Sequence, residues 1–174
     1  GGTEITVNQY AGNAALTGNN TTGGAITVTG NEKTTTVTVN QTATGTGLTA
    51  TATAAGVVGY TAGAVTVNDK NTTSTTLADT IETVTVKNAG VVAIDSGALK
   101  TLNLEGTITS VTANDTTVKT GITAVDTLAL NLKGVTTTAI IADADVKTLN
   151  IASSKDASTV TTLTSAGATA INVS

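Results

Sequence analysis

A six-residue pattern recurs along the second half of this chain: apolar, any, Thr, apolar, any, apolar. The copies are Ile81-Glu82-Thr83-Val84-Thr85-Val86, Leu99-Lys100-Thr101-Leu102-Asn103-Leu104, Val125-Asp126-Thr127-Leu128-Ala129-Leu130, Val146-Lys147-Thr148-Leu149-Asn150-Ile151 and the weaker Ala168-Thr169-Ala170-Ile171-Asn172-Val173. The fourth and sixth residues of each are Val, Leu or Ile, two positions apart, as on a strand with one buried face. Their first residues lie 18, 26, 21 and 22 positions apart. A unit of that size cannot enclose a core of its own, so it has to stack on copies of itself.

Between the copies lie second apolar runs: Val91-Val92-Ala93-Ile94, Ile108-Thr109-Ser110-Val111, Ala139-Ile140-Ile141-Ala142 and Val160-Thr161-Thr162-Leu163. Two or three short strands per unit, bounded by Gly, Asn, Asp and Ser, describe one coil of a parallel β-solenoid (β-helix). Coils of about twenty residues stacked at about 4.8 Å would make a rod of roughly 40 Å over about eight rungs. The regular coils are expected over residues 81–174. Residues 1–80 are less regular, with strand-like runs at Glu4 to Asn8, Ala25 to Thr29, Thr35 to Asn40 and Ala64 to Asn68 and an Ala/Thr/Gly-rich stretch from Thr42 to Gly63. Two readings stand for this part: the start of the solenoid, or an antiparallel β cap or small sandwich with a hairpin turn at Gly30-Asn31-Glu32-Lys33.

Composition supports an all-β chain. Thr supplies 44 of the 174 residues, and with Val and Ile it favours pleated structure over helix. Pro is absent, as suits strands flanked on both edges, and Phe and Trp are absent, as suits a core narrow enough to close on aliphatic groups. There is no run of about 20 apolar residues that could span a membrane as a helix, and two Tyr cannot form the aromatic girdles of an outer-membrane barrel. The chain opens at Gly1-Gly2-Thr3 without an initiator Met or a signal segment, which points to an internal piece of a longer exported polypeptide.

The same inventory excludes most chemistry. With no Cys and no His, thiolate and imidazole sites for metals or nucleophilic catalysis are absent. All eight cations are Lys and the net charge is −4, which argues against nucleic-acid binding. Carboxylate acid–base work is the one enzymatic option left, but without Arg, His, Trp or Phe a carbohydrate cleft lacks its usual partners. No enzyme activity and no required cofactor are expected. Calcium takes oxygen ligands, and Asp143-Ala144-Asp145 places two carboxylates on one face of an extended segment, so Asp143 and Asp145 are the candidate ligands. Against this stands a plain turn role, shared with Asn68-Asp69-Lys70-Asn71 and Asn114-Asp115, since Asp and Asn side chains cap their own backbone. The glycine-rich nonapeptide of calcium-binding coils is missing. Asn19, Asn20, Asn40, Asn71 and Asn114 precede Thr at the glycan-acceptor spacing, but at the rate that chance gives in so Thr-rich a chain. An ice-binding face would need Thr-x-Thr at constant phase. It occurs at Thr27/Thr29, Thr36/Thr38, Thr49/Thr51/Thr53, Thr83/Thr85 and Thr107/Thr109, but most copies of the main motif carry Asn or Ala at the fifth position.

Segments such as Thr34-Thr35-Thr36-Val37-Thr38-Val39-Asn40-Gln41, Ala64-Val65-Thr66-Val67-Asn68-Asp69 and Ala98-Leu99-Lys100-Thr101-Leu102-Asn103-Leu104, in a Thr/Ala/Val/Gly/Asn-dominated chain, resemble the repeat regions of bacterial surface-layer proteins and related large β-strand-repeat surface proteins. The resemblance implies an exported structural protein, at the extracellular cell surface, whose copies self-associate into a two-dimensional lattice, often with calcium. It also implies anchoring to cell-envelope polysaccharide through regions outside this segment. The stalk of a bacterial adhesin is the alternative role for the same kind of rod.

Overall fold

The computed structural model describes residues 2–11, 21–43, 60–154 and 156–174. Among these residues there are twelve strands and no helix: β1 Glu4–Ala11, β2 Thr21–Thr22, β3 Ile26–Thr29, β4 Thr36–Ala43, β5 Tyr60–Thr61, β6 Val65–Asn68, β7 Thr83–Asp95, β8 Thr101–Asn114, β9 Thr127–Ala142, β10 Thr148–Ser153, β11 Thr159–Ser165 and β12 Ala170–Val173. Ten belong to one sheet whose main path runs β1-β4-β7-β8-β9-β10-β12, and β2 pairs with β5 separately. The sheet does not close into a barrel. Every ladder the described strands make is parallel.

The long strands β7, β8 and β9 each serve two rows of pairing. The first part of β7 takes β4 as its neighbour, while its last part takes β6, which in turn pairs with β3. The far part of β9 pairs likewise with β11, and its near part with β10. Between the two parts of each long strand one residue has positive φ: Asn88 (50°), Gly106 (78°) and Gly134 (57°). One left-handed residue redirects the chain without ending the strand, and it shifts the register between Lys87 and Ala89 and between Glu105 and Thr107.

Alternation then fills the interior. Val37, Val84, Leu102 and Leu130 lie in one inward row, with Val39, Val86, Leu104 and Leu132 beside it. Val65, Val92, Val111 and Ile140 form a row on the second part of the sheet. All twelve are buried in a single aliphatic cluster. At about 1.5–3 kcal/mol for each fully buried aliphatic side chain, this packing is the main favourable contribution to stability.

Three expectations need correction. Before residue 80 no described pair is antiparallel: Ile5 lies beside Val37 and Ile26 beside Val65, so the antiparallel cap or sandwich is replaced by parallel ladders. Nor is Gly30-Asn31-Glu32-Lys33 a hairpin turn, because β3 pairs with β6 and β4 with β1 and β7. The reason is visible at Thr34. Thr34-Thr35-Thr36-Val37-Thr38-Val39 is a further copy of the repeat with Thr at the inward first position, fully buried and satisfied through Oγ1, which accepts from Asn31 N (3.0 Å) and donates to Gly2 O (3.4 Å). The third correction concerns spacing. Thr127 stacks on Thr148 as the motif predicts, but Thr101 lies beside Ala129, so β9 is displaced by two residues relative to β8. An even slip keeps every side chain on its own face, and it places Leu104 against Leu132. Asn19, Asn20 and most of the Thr42 to Gly63 stretch, with Thr49, Thr51 and Thr53, lie outside the described residues.

Candidate functional site

Where the second-part strands β3, β6, β7, β8 and β9 end, the chain must turn, and a short polar side chain sits at each place. Asn31, Asp69, Ser96, Asp115 and Asp143 each accept the backbone N–H two residues on: from Lys33 (2.9 Å), Asn71 (3.0 Å), Ala98 (3.3 Å), Thr117 (3.0 Å) and Asp145 (2.7 Å). These are side-chain-capped turns stacked along one edge of the molecule. Second oxygens close the excursion after Asp69 and tie the Asp143 turn to the Asp115 turn. Asp69 Oδ2 accepts from Thr80 N (2.7 Å) and Ile81 N (2.8 Å), and Asp143 Oδ2 accepts from Asp115 N.

The turn reading of Asp143 is therefore what the geometry presents: both its oxygens serve backbone donors. Asp145 is exposed and contributes its own N–H to that turn. Among the described residues no group of three or more acidic side chains converges as metal ligands would. With both Asp143 oxygens engaged and Asp145 at the surface, what these two residues form is a capped turn.

Sequence reasoning missed Lys119. It lies on the excursion between β8 and β9, buried to 4% exposure, with Nζ 2.7 Å from Asp79 Oδ2 and 3.1 Å and 3.3 Å from the two oxygens of Asp115. The Asp79 side chain is 1% exposed and that of Asp115 14%. Gly97 N donates to Asp79 Oδ2 at 2.8 Å, and the other oxygen, Oδ1, is buried without a partner. Burial pushes the Asp79 carboxyl above the usual carboxylate range, outweighing its hydrogen bonds to Lys119 and Gly97. Burial pulls Lys119 the other way, but hydrogen bonds to Asp79 and Asp115 hold its ammonium above the ordinary lysine range. Two carboxylates thus share one ammonium. The excursion is docked on the one between β6 and β7 by Thr120 N to Thr75 O (2.8 Å) and by Thr117 Oγ1 to Thr72 O. An open recess beside it is lined by Asp79, Glu82, Lys100, Asp115, Lys119 and Asp145. No local signal marks this cluster, because Asp79 and Lys119 are brought together only by stacking.

The chain matches no protein-family model and no curated protein.

Elsewhere polar side chains bind to one another across the ladders. Asn40 Nδ2 donates to Asn8 Oδ1 (2.9 Å), Asn131 to Asn103 (2.8 Å) and Asn172 to Asn150 (2.8 Å). Lys87, Glu105 and Lys133 form a row with both ion pairs at 2.9 Å. Thr36 and Thr38 of β4 lie beside Thr83 and Thr85 of β7, but β8 continues that array with Asn103, so the Thr-x-Thr plane is two strands wide at this place. Chemically, the acidic groups act mainly as acceptors for turn N–H groups and for Lys.

Proposed function

We propose that this chain is a β-solenoid segment of a structural, extracellular bacterial surface protein, a subunit of a self-assembling surface-layer lattice. The observation that carries the reading is the uninterrupted parallel ladder from β1 to β12, with aliphatic rows inside and Thr, Asn and alternating charges outside. A lattice subunit has to resist local opening, and backbone ladders that continue from unit to unit supply that rigidity. Exposed Thr and Asn offer many individually small hydrogen bonds between copies, and a net charge of −4 permits close approach. No helix among the described residues is long and apolar enough to cross a membrane.

Electron micrographs of the purified protein, with and without added calcium, test the reading. Ordered two-dimensional sheets are the expected result. Dispersed particles that instead adhere to cell surfaces or glycans would replace the lattice with an adhesin stalk.

A further inference from the structure

The Lys119 cluster has the arrangement of an amide-forming site. We propose that Lys119 Nζ and the Asp79 carboxyl condense to an intramolecular isopeptide bond, with Asp115 as the proton-transfer group. An amine and a carboxyl react when they are held together, out of water, with a group to carry protons between them. Each requirement is met by a named residue. Nζ touches Asp79 Oδ2 at 2.7 Å, which puts it within van der Waals reach of Cγ. Both side chains are at least nine-tenths buried. The Gly97 N–H donates to Oδ2, the oxygen that remains as the amide carbonyl, and stabilises negative charge developing there during attack. Oδ1 has no partner to hold it and is the oxygen that leaves. Asp115 contacts Nζ through both oxygens, and the carboxylates of Asp79 and Asp115 both close over Gly97: a Cβ added there would collide with Asp115 Oδ2 and lie 3.3 Å from Asp79 Oδ2.

The step balances without an oxidant or co-reactant. One proton of the ammonium passes by way of Asp115 to Oδ1, and the neutral amine attacks Cγ, forming the N–C bond. A second proton moves from Nζ through Asp115 to Oδ1, the C–Oδ1 bond breaks, and water departs. One hydrogen stays on the amide nitrogen and Asp115 is regenerated as carboxylate. Asp79 is the acceptor and Asp115 the shuttle because Asp115 Oδ1 also caps the turn at Thr117 N, whereas Asp79 Oδ1 is unengaged. The product would clamp the excursion between β8 and β9 to the segment preceding β7 across the intervening strands. It does not depend on the surface-layer reading.

Intact-mass spectrometry of the folded, then denatured, full chain decides the matter. The expected mass is one water below the sequence mass, with a branched proteolytic peptide joining Lys119 to Asp79. Asp79→Asn should lose one ammonia instead, and the branched peptide separates this from imide formation on the residue's own backbone. Lys119→Arg, which keeps the positive charge, should show the full sequence mass, and Asp115→Asn should slow or abolish the link. A wild-type chain at its full sequence mass after prolonged incubation overturns the proposal. So does a water loss that persists in Lys119→Arg, or a branch that maps to Asp115.

Discussion

Asn88 is the residue on which the first bend turns. Its φ of 50° lies in the left-handed region, its Nδ2 donates to Gln41 O (2.9 Å) and its Oδ1 accepts from Thr107 N (3.1 Å), so one side chain joins three neighbouring strands. Asn tolerates that backbone better than most non-glycine residues, and its amide carries the donor and the acceptor on separate atoms that reach opposite neighbours. Two substitutions separate the contributions. Asn88→Gly keeps the backbone and loses the hydrogen bonds, for about 1–3 kcal/mol. Asn88→Ala adds the left-handed penalty of about 1–2 kcal/mol. Urea denaturation should rank wild type above Asn88→Gly above Asn88→Ala; equal values for the two variants would show that the bend imposes no backbone constraint. Gly106, which stacks on Asn88, has no such choice: φ is 78° and a Cβ would strike Asn88 Oδ1, so Gly106→Ala should cost at least as much as Asn88→Ala. The sequence reading treats Asn and Gly here as strand boundaries. They do mark the places where direction changes, but a strand that bends in one residue while its ladders continue on both sides looks, in one dimension, like two strands.

At the scale of elements, the outward row Lys87–Glu105–Lys133 joins β7, β8 and β9. Hydrogen bonds from Lys87 first and Lys133 next hold the Glu105 carboxyl below the usual range. A lowered folded-state pKa adds stability that is present above the unfolded value and fades as pH falls through the folded one. With all three side chains a third or more exposed, the row contributes on the order of 1 kcal/mol or less. Glu105→Gln should therefore lower the urea midpoint slightly at neutral pH, and the difference from wild type should fade as pH falls below the ordinary Glu value toward the lowered folded one, and shrink in high salt. A difference independent of pH would mean that the side chain acts by packing alone. The alternation that makes such rows was readable in the chain, since Val84, Leu102, Leu128 and Leu149 are all inward as their period of two requires. The displacement of β9 was not readable. A two-residue slip leaves the alternation unchanged, and the choice between Leu128 and Leu130 as partner of Leu102 is made by three-dimensional fit. For the same reason nothing in the sequence singles out Lys119: its partner Asp79 precedes it by two strands.

For the whole molecule, linear stacking makes stability depend on position. β8 has ladders on both edges, and Leu102 and Leu104 are 0% and 2% exposed, whereas β12 pairs with β10 alone and leaves Ile171 and Val173 53% and 75% exposed. In a nearest-neighbour stack, an end strand opens at the cost of one interface while a central one opens only with its neighbours. Native-state hydrogen exchange should thus show protection highest in β7 to β9 and falling toward β12. The same gradient should appear in mutational costs. Leu102→Ala removes a fully enclosed side chain and should destabilise by about 2–5 kcal/mol, whereas Val173→Ala should stay within about 0.5 kcal/mol. A Lys119–Asp79 link would steepen the gradient, because it clamps the centre of the stack and leaves the end free to fray. Comparing exchange in wild type and Lys119→Arg reads that directly: protection should drop around the two excursions and β8, with β12 unchanged. Uniform protection along the chain, equal in both proteins, would show a single all-or-none unit in place of a stack of coupled layers.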